Sequence, residues 1–188
     1  MPRYSFERTE ILSQEEVGTM LKNAQLPWVK TIISILYLFG CRLIEALWLR
    51  RQDVWEDEEY VYARFTLAKR RAKGPFPHVT HQLRISKDSP FIEEMMGHIR
   101  SIQDPNEFVF SIGRTWGTAR VVAWREIKKL NANCSPHIFR HSRLTKLALR
   151  DASPLDLQDW AGWGDARPAK AYLHVSGKLA EKYSDKID

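Results

Sequence analysis

The stretch Ser135-Pro136-His137-Ile138-Phe139-Arg140-His141-Ser142 carries the densest information in the chain. Ser135 is a helix-capping residue type, and Pro136 suits a first helical position, where a missing N–H is harmless. The pattern predicts a helix that opens at Pro136. On it, His137, Arg140 and His141 fall at i, i+3 and i+4, on one face. Two imidazoles and a guanidinium are expensive to bury without an anionic partner. Arginine offers a planar fork that matches phosphate oxygens. The plainer alternative is a solvated basic helix face. A zinc site is a third reading, since His137 and His141 are four apart. The stretch lacks the Glu of an HExxH motif and any nearby cysteine cluster, so no metal is expected.

Two other segments hold residues of interest. In Gly40-Cys41-Arg42-Leu43-Ile44-Glu45-Ala46-Leu47, Arg42 follows an apolar run and stands at the mouth of the next helix. A charge so near the core needs a partner, and Glu45 lies three residues on. A structural Arg42–Glu45 pair is the simplest reading. The last segment runs from Gly162-Trp163-Gly164-Asp165 to Ala171-Tyr172-Leu173-His174. Trp163 taken alone reads as a core aromatic. Nothing intrinsic marks Tyr172 as a nucleophile, because an ordinary phenol is protonated at neutral pH. Nearby cations would be needed to stabilise its phenolate.

Around these segments the chain alternates mostly helical patterns with one β-rich insert. Ser13-Gln14-Glu15-Glu16 reads as a capping box opening a helix to about residue 24. Pro27 starts a helix that is apolar on most sides, so it belongs deep in the core, with Gly40 ending it. A short helix is expected over 43–49. Residues 60–67 are aromatic and β-branched, as a strand should be, and 78–85 read as the returning strand. Between them, Lys69-Arg70-Arg71-Ala72-Lys73-Gly74-Pro75 reads as a basic turn. Helices are expected over 91–100, 118–130, 138–150 and 154–160, with short pieces over 168–174 and 178–185. The fold class is α+β, mainly α, with a small antiparallel β-sheet or hairpin.

The 188 residues amount to one ordinary domain, read here as a single unit over 1–188. A hydrophobic share of 44% and a charged share of 28% are normal for a globular chain. The formal net charge of +6 favours a polyanionic partner such as nucleic acid. The two cysteines, Cys41 and Cys134, fit no metal spacing, which suggests a reducing, cytoplasmic setting. The longest apolar stretch, 31–41, is too short to span a bilayer, so no membrane partner is expected.

Taken in order, these segments resemble the catalytic domain of the tyrosine recombinase, or phage integrase, family. The family box TGxRxSE is matched by Phe39-Gly40-Cys41-Arg42-Leu43-Ile44-Glu45. The box HxLRHxxAT is matched by His137-Ile138-Phe139-Arg140-His141-Ser142-Arg143-Leu144-Thr145. The last box, LGH followed by a tyrosine, is matched by Ala161-Gly162-Trp163 and then Tyr172. Trp163 stands where most members carry His, and the family tolerates Trp there. Members usually carry an N-terminal core-binding domain as well, and this chain starts directly at the catalytic part.

The resemblance implies a DNA strand-cutting and rejoining enzyme that needs no metal and no nucleotide cofactor. It implies Arg42 and Arg140 on the phosphate, His137 assisting proton movement, Trp163 supporting the nucleophile, and Tyr172 attacking phosphorus. A lysine on the hairpin would protonate the leaving oxygen; Lys69 is the first choice and Lys73 the second. Arg70, Arg71, Lys73 and His141 are expected as DNA contacts, and Glu45 as the group that orients Arg42. The partners implied are double-stranded DNA and further copies of the chain, as a tetramer on DNA, with residues 175–188 as an exchanged tail. The competing readings are a non-catalytic DNA-binding regulator, a type IB topoisomerase-like relaxing enzyme, and a metal-dependent enzyme built on His137 and His141.

Overall fold

The computed structural model describes residues 11–71 and 78–173. Helix α1 (Gln14–Asn23) opens on a capping box in which Ser13 accepts from the Glu16 N–H and Glu16 reaches back to the Ser13 N–H. Helix α2 (Pro27–Phe39) follows and is buried around nearly its whole circumference. It is the hub of the fold, packing on α1, on α4 (Ile92–Ser101), on α5 (Trp116–Leu130) and on α6 (Pro136–Leu149). A helix apolar on all sides can only be stable in that position.

Gly40 ends α2 in the left-handed conformation, with φ at +63°. A side chain there would also collide, since a Cβ would sit 2.8 Å from the Cβ of Arg143. The backbone thus turns sharply into α3 (Leu43–Leu47), which brings Arg42 to its mouth. The helix is shorter than the expected 43–49.

Strands β1 (Val54–Glu56), β2 (Tyr60–Arg71) and β3 (His78–Ser86) form one antiparallel sheet in the order β1-β2-β3. The strict alternation of β2 puts Val61, Ala63, Phe65 and Leu67 on the core, with Phe65 edge-on to Phe39 of α2 at 5.4 Å. The expected basic turn over 69–75 needs correction at its start. Residues 69–71 belong to β2, and Arg71 pairs with His78 after a register shift beyond Thr66. Ladder pairing extends past the last apolar residue, so charge alone misplaces the strand end.

Helix α6 begins at Pro136, the opening expected from the Ser135-Pro136 pair and two residues before the span 138–150. Ser135 occupies its N-cap position in extended conformation, but its side chain makes no capping bond. Helix α7 (Pro154–Ala161) opens on a Ser153/Asp156 capping box and closes on Gly162, again left-handed. A 3-10 turn, Arg167–Ala169, then leads into helical residues 170–173.

The apolar interior has two parts. The larger gathers α1 to α5, the sheet and the start of α6. The smaller gathers Leu144, Ala148, Leu157, Ala161 and Ala169 under Trp163, Tyr172 and Leu173. Trp160 packs against both. The seam between the two is where the conspicuous polar side chains meet. No helix among the described residues is long and apolar enough to cross a membrane.

Candidate active site

Arg42 and Glu45 form a close pair, with Arg42 Nη1 donating to Glu45 Oε1 at 2.7 Å. The Glu45 side chain is almost fully buried. It accepts twice more, from the backbone N–H of Arg42 at 2.8 Å and from that of Ala68 in β2 at 3.2 Å. One carboxylate thus ties the mouth of α3 to the sheet and fixes the Arg42 guanidinium. Buried carboxylates are tolerated only with such full pairing.

Arg140 is half-buried on α6. Its Nη1 donates to the Gly40 carbonyl at 2.9 Å and its Nη2 to the Ala161 carbonyl at 2.8 Å. Its guanidinium lies 5.7 Å from the Trp163 ring centroid. Burial and the like charge of Arg42 lower its pKa, with Glu45 opposing. An arginine remains cationic under these conditions. Both guanidinium groups are therefore fixed by hydrogen bonds, and the solvated-helix-face reading does not describe Arg140.

Tyr172 lies beside Trp163 and His141. Its ring is 5.8 Å from Trp163 and 5.6 Å from His141, tilted against both. Burial raises the phenol pKa above its ordinary value, while Arg140 and Arg42 pull it back down. Arg140 and Arg42 favour the phenolate, but burial outweighs them and the net shift is upward.

The sign of that shift gives a test. A raised pKa means that the folded chain holds the phenol proton where the unfolded chain has released it. Stability from this group is full below pH about 10 and declines as pH climbs through the folded-state value. The melting temperature of the wild type should therefore fall more steeply above pH about 10 than that of Tyr172→Phe. Equal slopes would contradict a buried, neutral Tyr172.

His141 is half-buried beside Tyr172, and His137 is exposed on the first turn of α6. Lys69, Arg70 and Arg71 follow Ala68 along β2. Lys73 and the tail 175–188 lie outside the described residues. Among the described residues, no group of three or more His, Cys, Asp or Glu side chains is placed to hold a metal ion. Cys41 is buried beside the pocket, and burial pushes its thiol pKa far up, so it has no nucleophilic character.

Three residues of the neighbourhood were not singled out from sequence. His81 of β3 meets the Trp160 carbonyl at 3.2 Å. Trp160 donates its indole N–H to the Phe39 carbonyl at 2.9 Å. Arg143 lies over the Trp160 ring at 4.7 Å, and burial lowers its pKa to about 10. One signal for His81 was available, since strand alternation puts it on the same face as the buried Leu83 and Ile85.

The same arrangement of chain is found in known proteins. The model of the phage integrase family matches residues 10–178. A tyrosine recombinase from Thermosipho africanus (strain TCF52B) is 24% identical over 184 residues, covering 93% of this chain and 60% of that protein. Among solved structures, the XerH site-specific recombinase bound to palindromic difH substrate, in a post-cleavage complex, superposes with a TM-score of 0.66 at 18% identity. That match covers 94% of this chain and 53% of the other. The catalytic domain of bacteriophage HP1 integrase superposes with a TM-score of 0.63 at 16% identity, covering 93% of both chains. This chain therefore spans about 60% of the length of the curated relative it matches, and with residues 10–178 inside the family model it belongs to the phage integrase family.

Proposed function

We propose that this chain cuts and rejoins double-stranded DNA through a covalent 3′-phosphotyrosyl intermediate at Tyr172, as a site-specific recombinase or integrase. The observation that supports the reading is that Arg140, held by the Gly40 and Ala161 carbonyls, lies 5.7 Å from the Trp163 ring, which lies 5.8 Å from the Tyr172 ring.

Arg42 and Arg140 bind the non-bridging oxygens of one DNA phosphate. Charge spreads over those oxygens in the transition state, so cations already fixed by Glu45 and by two carbonyls stabilise it without reorganising. The Tyr172 oxygen attacks phosphorus and gives up its proton, with His137 assisting that transfer. The bond to the 5′ oxygen breaks, and a lysine, Lys69 or Lys73, supplies a proton to that oxygen. Lys69 is favoured by its place next to Ala68, whose N–H binds Glu45 in the pocket. Trp163 packs beside the nucleophile and has no acid or base role. The broken phosphodiester is exchanged for a phosphotyrosyl ester, so attack by a 5′-hydroxyl reseals a strand without nucleotide hydrolysis.

His141, beside Tyr172, helps to hold the nucleophile's segment, and Arg70, Arg71 and Lys73 contact the DNA backbone. Exchange between two duplexes calls for several copies of the chain, as a tetramer on DNA, in a cytoplasmic, DNA-associated setting. The experiment is incubation with a nicked suicide duplex, from which the short fragment bearing the freed 5′-hydroxyl escapes. A protein–DNA band that survives denaturation supports the reading, and its absence on every duplex offered would favour a DNA-binding regulator.

A further inference from the structure

The support around Arg140 continues beyond its own hydrogen bonds. Its two acceptors, the carbonyls of Gly40 and Ala161, stand at the C-terminal ends of α2 and α7. Helix C-termini concentrate partial negative charge, which suits a guanidinium held between them. The residue before each acceptor is tied down as well. The Phe39 carbonyl accepts from the Trp160 indole, and the Trp160 carbonyl meets His81 Nε2. The next residue, Gly162, turns left-handed against Leu67 of β2, where a Cβ would approach a Leu67 methyl to 2.8 Å.

His81 is the unexpected member of this chain of bonds. It sits opposite Phe65 on the core face of the sheet, where an apolar residue would be ordinary. A half-buried imidazole there needs a hydrogen-bond partner, and the Trp160 carbonyl provides one. A carbonyl only accepts, so Nε2 carries the proton. The charged groups that act on His81 are Glu45 of α3, Asp159 of α7 and Arg140 of α6. Burial lowers the His81 pKa from its usual value, so the ring is neutral at neutral pH and adds no charge beside Arg140.

We propose that His81 is a positioning residue for strand cleavage: its hydrogen bond to the Trp160 carbonyl fixes the α7 C-terminal turn, and that turn aims Arg140 and Trp163 at the reacting phosphate and Tyr172. The inference rests on the cleavage reading above. Successive carbonyls at a helix end move together, so holding Trp160 also holds the Ala161 acceptor of Arg140. A misplacement of about 1 Å in such a support can slow a reaction by about a hundredfold.

The test compares His81→Phe, which keeps a ring but has no donor, with His81→Gln, whose amide N–H can reach the same carbonyl. The full chain is assayed for single-turnover cleavage of the nicked suicide duplex, for duplex affinity by fluorescence anisotropy, and for melting temperature. The Phe variant should bind DNA within about twofold of wild type and cleave about 10- to 100-fold more slowly. The Gln variant should cleave within about threefold of wild type, a rescue that a merely structural role would not produce. A Phe variant as fast as wild type overturns the proposal. A Gln variant more than about tenfold slower than wild type also overturns it, an outcome that can be read even if Phe proves too unstable to assay. Absence of a covalent band from the wild type itself would sink the cleavage reading and this inference together, which separates that outcome from failure of the inference alone.

Discussion

Arg140→Ala should slow single-turnover DNA cleavage by about a thousandfold. The side chain is a pre-set cation. Two terminal nitrogens are spent on the Gly40 and Ala161 carbonyls, with the guanidinium carbon 5.7 Å from the Trp163 ring centroid, and in the proposed mechanism the remaining N–H groups serve the phosphate. Removing it strips the transition state of one fixed positive charge and leaves two carbonyls without their donor. Arg140→Lys should restore little, staying at least about a hundredfold slow, because one ammonium cannot bridge two carbonyls and also present a planar fork. Duplex affinity should change far less than rate, since backbone contacts are spread over many cations. A Lys variant cleaving at wild-type speed would show that charge alone suffices and that the bridging geometry is incidental.

The second large effect falls on stability and activity together. Glu45→Ala removes a carboxylate that accepts from the Arg42 side chain, the Arg42 backbone and the Ala68 backbone. It leaves a partly buried guanidinium without its counter-charge at the seam of the core. Breaking a buried pair in this way costs about 3 kcal/mol or more. Denaturant unfolding of the Ala variant should show a loss of that size, and cleavage by its folded fraction should fall because Arg42 is no longer aimed. Glu45→Gln keeps an acceptor for the two backbone N–H groups but not the charge. It should recover much of the stability and less of the rate. An Ala variant as stable as wild type would mean that Glu45 is not the tie between α3 and the sheet.

Much of this architecture is visible in the amino-acid order, for identifiable reasons. Helix α2 is recognisable because a run of apolar residues between Pro27 and Gly40 has only one stable place, the centre. Helix α1 is marked by the Ser13/Glu16 box, and α7 by Pro154 at its first position. These are local signals, carried within a few residues. The end of β2 is not local. Residues 69–71 look like a turn by charge, yet they pair with a strand whose position depends on the whole hairpin.

The pocket divides in the same way. Arg42 with Glu45 can be anticipated from spacing alone, because i, i+3 neighbours meet at a helix start. That Arg140 faces inward cannot, since the same i, i+3, i+4 pattern suits a solvated face. Its two acceptors are carbonyls 100 and 21 residues away in sequence, and carbonyls carry no side-chain signature. Trp160 and His81 escaped for the same reason, as both act through backbone oxygens. His81 left a trace, a polar residue at an inward-facing position of β3. Tyr172 was chosen by resemblance, and the distances to Trp163 and His141 add a physical reason for attention to it.

The most direct measurement is the identity of the residue that carries DNA. The trapped protein–DNA complex from a nicked suicide duplex is digested with protease and nuclease, and the modified peptide is sequenced by mass spectrometry. The expected product is a nucleotide joined through its 3′ phosphate to Tyr172, with a free 5′-hydroxyl on the released strand and no adduct from Tyr172→Phe. An adduct on any other residue, or one that persists in Tyr172→Phe, would contradict attack by Tyr172.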